Sequence, residues 1–276
     1  MKTHTELAKA KVNLDLKVLS KREDGFHEVT TRMAPISLAD TLDFYPAEEY
    51  SLECDTEGVP LDESNLVTMA VRLFERETGV VCKWKIVLHK KVPHGAGLGG
   101  GSADAAAAMR ALNNLEKTSL SQDRMAELLA EIGSDIPFFA YESVSDCKGR
   151  GEKVTPVKWD HQLSALLIKP SFGVETPAAY KAWSDSQELP DVDYSAQEFA
   201  WGTMVNDLER PVFAKHLFLA EMKMWLLAQD EVEGAMMSGS GSTFIALVDA
   251  EKAPALLDKA RSELDPTLWG EAVVIG

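Results

Sequence analysis

The chain has 276 residues, enough for one large unit or two moderate ones, each with a buried core. Its 28 Lys and Arg stand against 44 Asp and Glu, and the net charge of −16 argues against a nucleic-acid or anionic-membrane surface. Cys54, Cys82 and Cys147 are widely spaced with no CxxC, and no apolar run approaches ~18 residues, so the expectation is a cytoplasmic protein with free thiols, without disulfide, zinc site or membrane span.

In chain order, Lys11 to Leu19 alternates, with Val12, Leu14, Leu16 and Val18 on one face, and predicts a half-buried strand. Arg22-Glu23-Asp24-Gly25 supplies turn chemistry before a second strand over Phe26 to Ile36, so the chain opens on a hairpin. Short strands are expected at Asp40 to Tyr45 and Tyr50 to Cys54. Ser64-Asn65 before Leu66, Met69, Ala70, Leu73 and Phe74 predicts a capped amphipathic helix ending at Gly79. Val81 to His89 reads as a strand that delivers the chain to Pro93-His94-Gly95-Ala96-Gly97-Leu98-Gly99-Gly100-Gly101-Ser102-Ala103-Asp104.

Five of the seven residues from Gly95 to Gly101 are glycine. Such a run allows positive φ and lets successive N–H groups converge on an anion, while Ser102 ahead of Ala103 and Ala105 to Ala108 is the expected N-cap of a helix aimed at the same point. A P-loop needs a lysine after its glycines, and none lies between Lys91 and Lys117. A dinucleotide fingerprint needs an acidic residue about 20 positions on, and Asp123 there belongs to the helix start Ser121-Gln122-Asp123-Arg124. That second helix runs to Ile132. Gly133-Ser134-Asp135-Ile136-Pro137 then interrupts the path, with Asp135 placed to cap a short helix through Pro137.

Val144 to Cys147 and Lys153 to Val157 predict a hairpin around Gly149-Arg150-Gly151, and Ala165 to Lys169 a strand. Helical segments follow between Thr176 and Gln229, with the acidic stretch Ser184 to Glu198 as a solvated connection. Ser238-Gly239-Ser240-Gly241-Ser242 precedes a strand over Thr243 to Val248, a helix over Ala250 to Leu264 and a last strand near Ala272 to Ile275. Met236-Met237 and the six tryptophans read as core. The mixture is α+β in two lobes, 1–160 and 161–276, with the boundary near Pro156 to Ser171.

Pro93-x3-Gly-Leu-Gly-Gly-Gly-Ser, with the Ser-Gly-Ser-Gly-Ser segment near the C-terminus, resembles the GHMP kinases of galactose, homoserine, mevalonate and phosphomevalonate. Ala10-Lys11-Val12-Asn13-Leu14, Arg22 to Glu28, Gly133 to Phe139 and Gly149-Arg150-Gly151-Glu152 are similar to the branch whose acceptor is the 2-hydroxyl of 4-(cytidine 5'-diphospho)-2-C-methyl-D-erythritol. The likeness runs from about Ala8 to Val248. It implies a ribosomal-S5-like N-terminal lobe, a ferredoxin-like C-terminal lobe, and ATP with Mg²⁺ as cofactors. It leaves monomer and homodimer open.

On that resemblance Asp135 is the candidate base, or the group that orients the hydroxyl, and Lys11 its cationic partner; Lys9 is one strand period away, but Ala-Lys-x-Asn selects Lys11. Pro93 to Ala103 is the ATP loop, and the Ser102 hydroxyl is a candidate Mg²⁺ ligand. Asn65, Leu66 and Lys91 are candidates on the nucleotide side. Asp104 reads as a first-turn dipole contact rather than a metal ligand. Asn13 is expected to bond substrate, and Phe26, His27 and Tyr180 to hold cytosine, with Phe26 standing where the family has Tyr. Gly239 and Gly241 lie under the substrate and phosphates. Homoserine or mevalonate phosphorylation is the enzymatic alternative, and Gly25-Phe26-His27 with Tyr180 discriminates against it. A sensor that has lost catalysis is the other, against which stands the retention of Lys11 and Asp135.

Overall fold

A computed structural model describes all residues, Met1 to Gly276. The strands in chain order are β1 His4–Asn13, β2 Lys17–Lys21, β3 His27–Pro46, β4 Ser51–Cys54, β5 Trp84–His89, β6 Ser145–Gly149, β7 Lys153–Pro156, β8 Leu163–Lys169, β9 Gln197–Phe199, β10 Gly202–Met204, β11 Gly234–Met237, β12 Phe244–Leu247 and β13 Trp269–Ile275. The helices are α1 Leu66–Thr78, α2 Gly100–Glu116, α3 Gln122–Leu129, α4 Phe138–Tyr141, α5 Thr176–Ala182, α6 Glu209–Lys215, α7 Leu217–Leu227 and α8 Ala253–Glu263.

Eleven strands form one sheet, whose main path runs β11-β12-β8-β13-β3-β5-β4, and β3 is its hub. At 20 residues β3 pairs antiparallel with β2 and β6 through its first third, with β1 from Met33 to Phe44, and with β5 from Thr41 to Pro46. The expected separate strand at Asp40 to Tyr45 is therefore the end of β3. The Asp40 carboxylate, fully buried inside the merged strand, is satisfied by three donors from the chain that follows β5. The opening strand also differs from expectation. Strand β1 starts at His4 and stops at Asn13, because Leu16 leaves β3 to exchange backbone bonds with Val205 and Asp207 at 2.8 and 2.9 Å.

One face of the sheet's β3 end is covered by α1 and α2, which pack in a core with Phe44, Phe74, Ile86, Leu112 and Phe138. A second core under α5 to α8 contains Phe213, Phe244, Met237 and Leu256. A third, around Leu14, Ile36, Leu98, Leu167 and Met236, joins the strands of both ends. The expected caps hold at α1, where Asn65 accepts from Val67 N at 2.8 Å and Gly79 closes the helix in the left-handed region. Ser121 caps α3 through Arg124 N. The β9–β10 hairpin and β11 have no counterpart in the sequence expectation: three-residue strands carry no legible period, and Gly234-Ala235-Met236-Met237 is buried on both faces. No helix is long and apolar enough to cross a membrane.

Candidate active site

The chain leaves β5 tied to one buried carboxylate. Asp40 Oδ1 accepts from the backbone N–H groups of Lys91 and Val92 at 2.5 and 2.8 Å, and Asp40 Oδ2 accepts from Lys90 Nζ. Lys90 also donates to Asp104 Oδ2 at 2.7 Å, which ties the departing strand to α2. Burial, with Asp40 nearby, pushes the Asp104 carboxyl above its ordinary range against the pull of Lys90.

Between these anchors Gly95, Gly97 and Gly99 all have positive φ, while Ala96 and Leu98 point into the core. Left-handed glycines at every second position are the kind of backbone that lets N–H groups converge on an anion. Helix α2 begins at Gly100, with left-handed Gly99 at the N-cap and no side-chain cap bond, so its first N–H groups keep no intrahelical acceptor. This corrects the expectation that Ser102 is the N-cap: glycines at 100 and 101 enter the helix themselves, and Ser102 sits inside the first turn. Its hydroxyl donates to Asp135 Oδ1 at 3.1 Å. Asp104 moves correspondingly to the second turn, where Lys90 neutralises it, so it is no first-turn dipole contact.

The second glycine segment lies directly on the first. A Cβ at Gly97 would sit 2.5 Å from the Ser238 carbonyl oxygen and 3.0 Å from that of Gly241. A Cβ at Gly239 would sit 3.2 Å from Asn13 Oδ1 and 3.5 Å from Lys11 Nζ. The segment is held from behind by Asn206, whose Nδ2 donates to the carbonyls of Met237 and Gly239 at 2.7 and 2.8 Å. Thr176 and Ser240 hydroxyls share a 2.7 Å bond. Glu209, itself buried against Lys223, accepts from Met237 N at 2.8 Å.

Lys11 stands where the two loops meet. Its Nζ donates to Asn13 Oδ1 and to the Gly97 carbonyl, both at 2.7 Å, and no carboxylate lies within ion-pair distance. Burial lowers its pKa from 10.5 to about 8, opposed by the field of Asp135. Asn13 in turn donates to Thr31 at 2.8 Å, which fixes its amide. Asp135 does not cap α4, whose N-cap is Pro137 without a side-chain bond; it faces Ser102 instead.

Beyond Asp135 lies an aromatic group. His27 stacks on Tyr180 at 5.5 Å between centroids and meets Trp183 edge-on at 6.0 Å. Burial, with Asp135 adding to it, pushes the Tyr180 phenol up to about 12. Burial, and then Lys21, lowers the His27 pKa. Phe26 stands apart at the exposed hairpin tip, with the Arg150 guanidinium 4.7 Å above its ring.

The two glycine loops thus meet at Lys11 and Asn13, with Gly97 against Gly241 and Gly239 against Asn13, Ser102 bonded to Asp135, and His27 stacked on Tyr180. Pro93 and exposed His94 lie on the approach to the loop, and Ala103 is buried beneath it. Leu66 Cδ1 lies 3.6 Å from where a Gly101 Cβ would be, so the start of α1 flanks the loop, while the Asn65 side chain is occupied in capping α1 and bonding the Pro60 carbonyl. Lys91 is exposed and borders a separate cleft with Leu7 and Glu271. Lys90, Asp40 and Asn206 shape the loops from behind and carry no local sequence signal, because each acts through partners distant in the chain.

Two sequence profiles match the chain, the GHMP kinases N terminal domain over residues 65–143 and the GHMP kinases C terminal domain over 195–265. A curated 4-diphosphocytidyl-2-C-methyl-D-erythritol kinase of Methylacidiphilum infernorum (isolate V4) is 38% identical over 273 residues, spanning 95% of this chain and 93% of its own. A chloroplastic protein of the same name from Oryza sativa subsp. japonica is 37% identical over 86% of this chain and 62% of its own length. The crystal structure of a 4-(cytidine 5'-diphospho)-2C-methyl-D-erythritol kinase matches with a TM-score of 0.80 and 33% identity over 99% of both chains. A mevalonate kinase, at 15% identity over 99% of both chains and a TM-score of 0.68, shares the fold alone. The α+β fold is that of the GHMP kinases, and the chain belongs to their 4-diphosphocytidyl-2-C-methyl-D-erythritol kinase family.

Proposed function

We propose that the chain moves the γ-phosphoryl group of ATP to the 2-hydroxyl of 4-(cytidine 5'-diphospho)-2-C-methyl-D-erythritol, with Lys11 and Asp135 as the catalytic pair. The observation that carries this reading is the meeting of two glycine loops at Lys11, a buried cation without a carboxylate partner, beside the Ser102–Asp135 contact.

The amides of Gly95 to Ser102 hold the ATP phosphates, helped by the positive end of α2. Asp135 accepts the hydrogen of the acceptor hydroxyl and fixes its line of approach; as the new O–P bond forms, the bond from the γ-phosphorus to the β–γ bridging oxygen breaks, ADP leaves with that electron pair, and the hydroxyl proton passes to the same carboxylate. Lys11 meets the negative charge spread over the oxygens of the transferring group. Ser102 Oγ and Asp135 Oδ1, 3.1 Å apart, are hard oxygens suited to Mg²⁺ alongside phosphate oxygens, and no three His, Cys, Asp or Glu cluster elsewhere to hold a cation. Such an ion would screen the phosphate charge. His27 and Tyr180 form the wall for cytosine, with Phe26 closing from the hairpin tip and Asn13 bonding the acceptor.

A coupled assay with ATP and each alcohol tests the assignment. Turnover of the cytidylylated methylerythritol, without turnover of homoserine or mevalonate, is expected. The reverse pattern refutes it.

A further inference from the structure

Lys169, the last residue of β8, is a buried ammonium that the proposed chemistry does not use. Its two hydrogen bonds go to backbone carbonyls, Pro170 O at 2.8 Å and Phe172 O at 3.1 Å. Burial lowers its pKa, and no charged neighbour offsets that effect. A cation left in this state is unfavourable unless the bend it fastens is needed.

The bend is placed to matter. Phe172 O also accepts from Ser242 Oγ at 2.6 Å, so one carbonyl joins the end of β8 to the end of the second glycine segment. The Phe172 ring stacks on His216 at 5.4 Å and 18°, which fixes the bend from its outer side. The next residue, Gly173, lies against the first glycine loop, where an added Cβ would stand 3.0 Å from the Gly95 carbonyl oxygen. Lys169 shares a strand face with Leu167, which packs in the core group of Ala96 and Leu98, so the lysine emerges beneath the same loop.

We infer that Lys169 is a positioning residue for the nucleotide: by holding the Pro170–Phe172 bend, it sets Gly173 as a backstop for Gly95 and thereby fixes the mouth of the phosphate loop. The inference rests on the reading of Gly95 to Ser102 as the ATP phosphate loop. It goes beyond that reading in giving the opposite end of the sheet a part in shaping it.

Steady-state kinetics of Lys169→Met and Gly173→Ala test it. Methionine keeps the stem and removes the tether. Gly173 lies outside the positive-φ set, so alanine adds only a wedge against Gly95. Each variant should raise KM for ATP about fivefold, the scale of one lost hydrogen bond, and change kcat and the acceptor KM less than about twofold. Unchanged KM for ATP in both variants, or equal rises for ATP and acceptor, would overturn it. If Lys169→Met does not fold, Gly173→Ala decides alone. Hydrogen exchange on the wild-type protein separates the two levels: ATP should protect the amides of Gly95 to Ser102. Absence of that protection removes the loop reading and this inference together, whereas protection with unmoved KM values removes this inference only.

Discussion

Titration of Lys11 should drive wild-type stability and activity in opposite directions along the pH axis, and replacing it by methionine should abolish both dependences. The folded lysine titrates at about 8 and the unfolded one at 10.5, because burial disfavours its charge. Between those values the unfolded chain holds a proton that the folded chain has released, so stability rises with pH by about 1.4 kcal/mol per unit. Across the window this amounts to on the order of 3 kcal/mol. Methionine has nothing to titrate there, and to first order all other groups cancel when the two proteins are compared. Urea unfolding of both at a series of pH values, followed by tryptophan fluorescence, should therefore show the wild-type stability gaining about 3 kcal/mol on the variant as the pH rises through this window. Over the same interval kcat/KM of the wild type should fall about tenfold per pH unit, as the charge that meets the phosphoryl group is lost. A stability difference that stays flat through the window would refute the reasoning, because it would mean that the ammonium is solvated or ion-paired in the folded protein.

Three further outcomes are expected. Asp135→Asn should lower kcat at least about a hundredfold, as for loss of a positioned acid–base group, and near-normal kcat would remove Asp135 from the chemistry. Phe26→Ala should raise KM for the cytidylylated acceptor about tenfold and spare KM for ATP, because the ring is exposed at the hairpin tip away from the phosphate loop; an equal loss for ATP would contradict that separation. Lys223→Met should destabilise by about 3–5 kcal/mol in urea unfolding, since it leaves the buried Glu209 carboxyl, which accepts from Met237 N, without its cation, and a change under about 1 kcal/mol would count against a buried ion pair there.

The parts of the fold that were legible are those whose cause is local. Asn65 and Gly79 mark α1 at both ends, Gly25 turns the first hairpin, and the glycine run signals a phosphate nest before any partner is known. What was hidden depends on residues far away. A strand ending at Ile36 and another starting at Asp40 prove to be one, with the buried Asp40 carboxylate inside β3 satisfied by Lys90 and the amides of Lys91 and Val92. Ser102 looks like an N-cap because glycine is a poor helix former, yet the helix starts at Gly100, where a Cβ would press on Val92 at 3.0 Å and the close packing calls for glycine. The site itself was half visible. Motif matching nominated Lys11, Asn13 and Asp135, but that Lys11 bonds Asn13 and Gly97, and lies out of ion-pair reach of Asp135, emerges only from the packing of the two loops.

The position of β13 bears on how the protein is made. Its residues Trp269 to Ile275 pair with β8 along their whole length, and Ile275 also pairs with Ile36 of β3, so the last strand fills an interior place in the sheet. Ile36 leaves the ribosome long before its partner exists. At ~5–20 residues per second the wait is on the order of 10–50 s for this part of β3 and about 5–20 s for β8, during which each presents an unpaired edge. Chaperones that shield such edges should therefore act on nascent chains that already carry both glycine loops, and trimming the final strand should leave a gap between β8 and β3 rather than a shortened rim.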